Sequence, residues 1–196
     1  MLKHPFQFTL TSLLGMLLLG LLAGCASELE ESRQGQLDPN FFDASEFFET
    51  EAGRLSGLTI EKTVTVNGNV ESKTLSNVDW TEEFAPFAQS NIDRPALWDV
   101  YQVDTLSAAR GLWSLVYSAL DSSLFTKVVA VTYADIADPL DSVYSVSITN
   151  SFDRYVADTR QILRWRPGNY QVQSTQEGRF IDRRDLEIIG NWKADQ

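Results

Sequence analysis

Apolar residues along this chain recur at two different spacings, and the change of spacing divides it. From Phe41 to Ala88 they repeat at helical intervals around one interruption, and from Gly111 onward they alternate at intervals of two. Asp43 is placed to cap a helix, with Glu46 at the third helical position in a capping-box arrangement and Phe42 and Phe47 set for a hydrophobic staple. Phe48, Ala52 and Leu55 then follow the i, i+4, i+7 spacing of one buried face, and Gly57 suits the C-terminal end. The interruption, 58–76, carries Thr63-Val64-Thr65-Val66 ahead of Asn67-Gly68, a strong short-range hairpin signal. A two-residue turn sets Ile60 opposite Leu75, a three-residue loop ending at Asn69 sets Val66 opposite Val70, and both registers stay open. A second helix is predicted behind Asp79, with Glu82 three residues on and Trp80, Phe84 and Phe87 along one face; Pro86 should kink or end it.

Residues 91–95 read as a turn and 101–106 as a short strand. Segment 111–120 fits both periods: Trp113, Leu115, Tyr117 and Ala119 alternate, while Leu112, Leu115, Val116 and Ala119 fit a helix. Strand is the expectation, because Asp121-Ser122-Ser123 leads straight into 124–133, rich in Val and Thr. Segment 142–149 alternates at Val143, Val146 and Ile148 among serines, with Tyr144 adding an apolar residue to the other face. Then 159–165, the turn Arg166-Pro167-Gly168-Asn169, 170–175 and 185–192 continue the strand pattern. The fold class this implies is α+β, with two N-terminal helices packed on an antiparallel β-meander of about six to eight strands.

The N-terminus has a different logic. Lys3 and His4 open it, residues 6–22 are apolar with Gly15 and Gly20 interspersed, and Leu22-Ala23-Gly24-Cys25 closes it. That stretch resembles the lipobox of bacterial lipoprotein precursors. The resemblance implies cleavage before Cys25 and acylation of its thiol, with Leu22, Ala23 and Gly24 as the cleavage motif. It divides the chain into a signal peptide (1–24), the lipidated cysteine with an acidic flexible tether (25–40) and a single α+β domain (41–196). Membrane attachment then runs through the lipid at Cys25, since each buried methylene contributes about 0.8 kcal/mol and more than one chain makes the anchor stable. Ala26 rather than aspartate follows the cysteine, so the inner-membrane retention signal of some Gram-negative lipoproteins is missing, and Ser27-Glu28 is similar to surface-export signals of Bacteroidota lipoproteins, although Leu29 interrupts it. The expected location is the outer membrane, facing the periplasm or the cell surface. The wider layout of lipobox, acidic tether, Phe-rich first helix, Thr-rich hairpin and Trp-containing meander also looks like lipoproteins of Bacteroidota, a likeness that implies no activity.

Charge and composition narrow the chemistry. The net charge is −11, and all 27 acidic residues lie after Gly24 together with 15 of the 16 basic ones, a balance that excludes a nucleic-acid surface. His4 is the single histidine and leaves with the signal, while Cys25 is the single cysteine and would be acylated. Histidine-based triads, a histidine general base and zinc sites built from His and Cys therefore fall away, and no catalytic set, cofactor or metal is expected. An enzyme here would have to work with carboxylates, as glycosidases do, or with a Ser-Lys pair.

Three residue groups merit a closer look. Asp135, Asp138 and Asp141 surround Pro139 between two predicted strands, but without the spacing and glycine of an EF-hand they read as a solvated acidic turn. Arg160, Arg164 and Arg166 share one face of a predicted strand with Leu163 and Trp165 on the other; such a row is able to grip an anion, yet its plain reading is the outward face of a half-buried strand. Arg179, Arg183 and Arg184 add charge nearby, interleaved with Asp182 and Asp185. Aromatic residues fall mostly at buried-looking positions and are expected in the core. No phosphate loop, dinucleotide fingerprint or G-x-S-x-G is present. These readings point to a non-catalytic interaction module for an envelope partner. A small-ligand or glycan-binding domain is the alternative, and a carboxylate-dependent glycan hydrolase comes behind both.

Overall fold

A computed structural model describes residues 41–107, 111–134, 142–153, 157–178 and 182–193. The lipobox with Cys25, the tether, the Asp135, Asp138 and Asp141 link and Arg179 lie outside these described residues.

In chain order the elements are α1 (Ala44–Arg54), β1 (Ile60–Val66), β2 (Asn69–Leu75), α2 (Trp80–Ala88), a 3-10 helix (Pro95–Val100), β3 (Tyr101–Ser107), β4 (Trp113–Ala119), β5 (Thr126–Tyr133), β6 (Val143–Asp153), β7 (Ala157–Arg166), β8 (Asn169–Gly178) and β9 (Arg184–Asn191). All strands join one antiparallel sheet in the order β2-β1-β9-β8-β7-β6-β5-β4-β3. From β3 to β9 this is a meander of consecutive neighbours. The hairpin β1–β2 does not stand apart; β1 pairs with β9, Thr63 opposite Ile189 and Thr65 opposite Glu187. That long-range pairing brings the sheet to nine strands rather than six to eight, and the 3-10 helix is an element beyond the two expected helices.

Local signals account for the element ends. Asp43 caps α1 through a bond from the Glu46 N–H (3.0 Å), and the Phe42 and Phe47 rings meet across the entry, tilted, with centroids 5.2 Å apart. Asp79 caps α2 by accepting from the N–H groups of Thr81 and Glu82. Helix α2 runs two residues past Pro86 rather than stopping at it, because the proline falls in the last turn, where its missing N–H removes a single bond. The Pro86 carbonyl accepts from the Ser90 hydroxyl at 2.8 Å. In the hairpin, Ile60 faces Leu75 and Val66 faces Asn69, so the turn has two residues, with Asn67 (φ 49°) and Gly68 (φ 85°) both left-handed. Segment 113–119 is a strand. Tyr144 is the extra residue of a bulge between β5 and β6, where Tyr133 pairs with Val143 and Thr132 with Ser145. The bulge explains how Val143 and Val146, three residues apart, both pack toward the core.

One face of the sheet carries that core. Trp165 on β7 lies edge-on to Phe47 and Phe48 of α1, with centroids 4.9 and 6.1 Å away, and Phe48 meets Phe87 of α2 at 4.6 Å. Trp80 abuts Trp192 at 5.2 Å, and Phe41 covers Tyr117 at 5.2 Å. Aromatic rings thus fill the space between helices and sheet, and each edge-to-face pair adds about 0.5–1.5 kcal/mol beyond the area it buries. Gly190 on β9 is a hole for one of these rings: a β-carbon there would stand 2.2 Å from Cε1 of Tyr170 and 2.7 Å from Cδ1 of Ile60. Tyr170 lies opposite Gly190, and its hydroxyl donates to Glu83 of α2. Lys62 of β1 donates to both Glu83 oxygens at 2.7 and 2.8 Å, so one half-buried carboxylate ties α2 to β1 and β8. Asn91 does the same for α1: its Oδ1 accepts from the Ala44 N–H and its Nδ2 donates to Asp43.

Candidate functional site

No helix packs on the opposite face among the described residues. Strand alternation places three cross-strand rows there: Thr63, Ile189, Gln171 and Arg164; then Thr65, Glu187, Gln173 and Ile162; then Asp185, Thr175 and Arg160. A hydrogen-bond grid links them. Glu187 Oε1 accepts from the amides of Gln171 (2.7 Å) and Gln173 (2.8 Å), and both glutamine carbonyls accept from Nη1 of Arg164 at 3.1 Å. A negative and a positive charge two strands apart are thereby joined through two amides. Next to them Asp185 accepts from the Thr175 hydroxyl (2.8 Å) and from Nε of Arg183 (2.9 Å). The bonds from Arg183 and Thr175 hold the Asp185 carboxyl below its usual range.

The second and third rows enclose a groove of about 350 Å³. Arg160 and Ile162 of β7, Gln173 and Thr175 of β8, Asp185 and Glu187 of β9, and Thr65 and Gly68 at the hairpin end line it. The Arg160 guanidinium has no hydrogen-bond or ion-pair partner among the described residues, and neither does Glu187 Oε2. No aromatic side chain lines the groove.

The arginines anticipated on one face are all on it and exposed, but the structure gives them separate surroundings. Arg164 is spent on the glutamine grid, Arg160 opens into the groove, and Arg166 stands at the end of β7 beside the Pro167-Gly168 turn. Arg183 pairs with Asp185, while Arg184 falls opposite Gln176 on the helix-facing side of β9. Glu187, Gln171, Gln173 and Thr175 were not singled out from sequence. For the β8 residues the signal was present in the alternation of that strand, where Tyr170 and Val172 point inward and Gln171 and Gln173 point out.

Chemically the groove offers amide, hydroxyl, guanidinium and carboxylate groups for polar recognition. Two carboxylates do line it, but Asp185 is held toward the charged form, whereas a glycosidase needs one carboxyl raised to act as acid. Among the described residues burial pushes up the carboxyl of Glu51, in the last turn of α1 and bonded to Arg54 at 2.9 Å. Among the described residues no group of three or more metal-ligating side chains comes together, and no helix is long and apolar enough to cross a membrane. Comparison of the chain with known protein families, curated proteins and solved structures finds no match in any of the three. Functional assignment therefore rests on the chemistry of this face.

Proposed function

We propose that the domain is a non-catalytic binding module, anchored at the outer membrane through acylated Cys25, that engages an envelope partner with the groove-bearing face of its sheet. The observation carrying this reading is the groove between β1, β7, β8 and β9, where Arg160 and one oxygen of Glu187 keep unused hydrogen-bonding capacity beside Gln173, Thr175 and Asp185, which are bonded to one another and to their neighbours. A small polar ligand is the second reading, favoured by the volume of about 350 Å³, near the lower end for small-molecule sites. A glycan would sit there without the ring stacking that sugars commonly use.

The test places a photoreactive side chain at Gln173 of the full chain and irradiates the native envelope. The expected result is a discrete adduct that does not form when the same group stands at Glu49, on the exposed side of α1. Adducts arising equally from both positions, or from Glu49 alone, would overturn the assignment of the face. In the same cells Cys25→Ala should abolish incorporation of labelled fatty acid, and unchanged labelling would remove the anchor from the proposal.

A further inference from the structure

The sheet is open, and its two edges differ. Strand β3 carries a single charge, Asp104. Strand β2, Asn69-Val70-Glu71-Ser72-Lys73-Thr74-Leu75, carries one charge of each sign placed symmetrically about Ser72, and all seven of its residues are exposed. Glu71 faces Val64 and Lys73 faces Lys62 across the hairpin, Lys62 being already occupied by Glu83. Neither Glu71 nor Lys73 has an ion-pair or hydrogen-bond partner among the described residues.

Backbone direction can be read from the turn. The two-residue loop makes Val66 and Asn69 a hydrogen-bonded pair, and such pairs recur at every second residue. Odd-numbered residues of β2 therefore bond to β1, and Val70, Ser72 and Thr74 direct their N–H and C=O groups outward. The Asn67 N–H, which donates to the Asp185 carbonyl at 2.9 Å, agrees with this: at the hairpin end the odd positions of β1 face β9 and the even ones face β2.

We propose that β2 is a homodimerisation edge, occupied by β2 of a second copy running antiparallel about a two-fold axis that passes between Ser72 and its counterpart. That register sets Ser72 against Ser72 of the second copy and Val70 against Thr74 as hydrogen-bonded pairs, so every outward backbone group of the strand finds a partner. It sets Glu71 against Lys73 twice, as the closer, non-hydrogen-bonded pairs. The contact is self-complementary, as a two-fold interface requires. An edge is ordinarily guarded by a lone charge such as lysine; here the guard of one copy is answered by the carboxylate of the other. The two sheets would continue into one across the axis.

The test is a charge-swap cycle on the full chain in detergent, read as mass by light scattering and as dissociation constant by sedimentation. The wild-type chain should form a dimer. Glu71→Lys and Lys73→Glu each replace both attractive pairs by repulsive ones and should raise the dissociation constant roughly tenfold to a hundredfold. The double variant, Glu71→Lys with Lys73→Glu, should restore the dimer, a rescue that neither misfolding nor co-residence in a micelle can mimic. A wild-type chain that stays monomeric, single variants that dimerise like the wild type, or a double variant that stays as weak as the singles would each overturn the proposal.

Discussion

The two faces of the sheet are built by the same strands, one residue to each side in turn, and are held together in opposite ways. Strand β7 shows the contrast: Leu163 and Trp165 are buried, Trp165 against Phe47 and Phe48 of α1, and Arg160, Ile162 and Arg164 stand on the other side among glutamines and a glutamate. On the first face the binding energy is removal of apolar surface from water, with rings at 4.6 to 6.4 Å from one another. On the second it is a grid of side-chain hydrogen bonds in solvent, each contributing little net because water competes for the same groups. The difference teaches where function can reside. Burial on the helix side leaves those residues little freedom to change, whereas the grid side can alter its chemistry without endangering the fold.

The comparison can be broken in three places. Phe48→Ala on the covered face removes a ring that touches Phe47, Phe84, Phe87 and Trp165 and should destabilise the domain by about 3–5 kcal/mol in denaturant titration; a loss below about 1 kcal/mol would mean that this core is not tightly packed. Glu83→Gln, at the border where α2 meets β1 and β8, takes the counter-charge from Lys62 while keeping an acceptor for Tyr170, whose pKa burial and the Glu83 bond both raise. It should cost about 1–3 kcal/mol, and a neutral result would show that ring packing alone holds α2 in place. Arg164→Ala on the open face should change stability by no more than about 0.5 kcal/mol, although it cuts two hydrogen bonds. A large loss there would show that the grid holds the sheet together and does not merely cover it.

Much of this was legible along the chain, and the reason is that the signals are local. Asp43 with Phe42 and Phe47, and Asp79 with Trp80, Phe84 and Phe87, report helices through contacts a few residues apart. Asn67-Gly68 reports its own turn, and the alternation of Arg160 and Arg164 against Leu163 and Trp165 reports two faces. The hairpin register was not decided locally, since both loop lengths suit Asn67-Gly68. Burying Ile60 beneath the helices, with Leu75 opposite it, belongs to the two-residue turn. Tyr144 broke the alternation of its segment for a cause that only the pairing with β5 reveals. Asn91, which reads as a turn residue, ties the start of α1 to the loop after α2, a contact spanning 47 residues that no local window contains.

The sequence by itself determined which side chains share a face, where helices start and where strands turn, because the backbone periods of 3.6 and 2 act on neighbours alone. Only the tertiary structure decided that β1 would close onto β9, and that Glu187, Gln173 and Arg160 from three strands would border one groove. Those outcomes depend on contacts between residues more than a hundred positions apart, such as Thr65 with Glu187, where the burial of aromatic rings between helices and sheet selects one pairing among many that alternation alone permits.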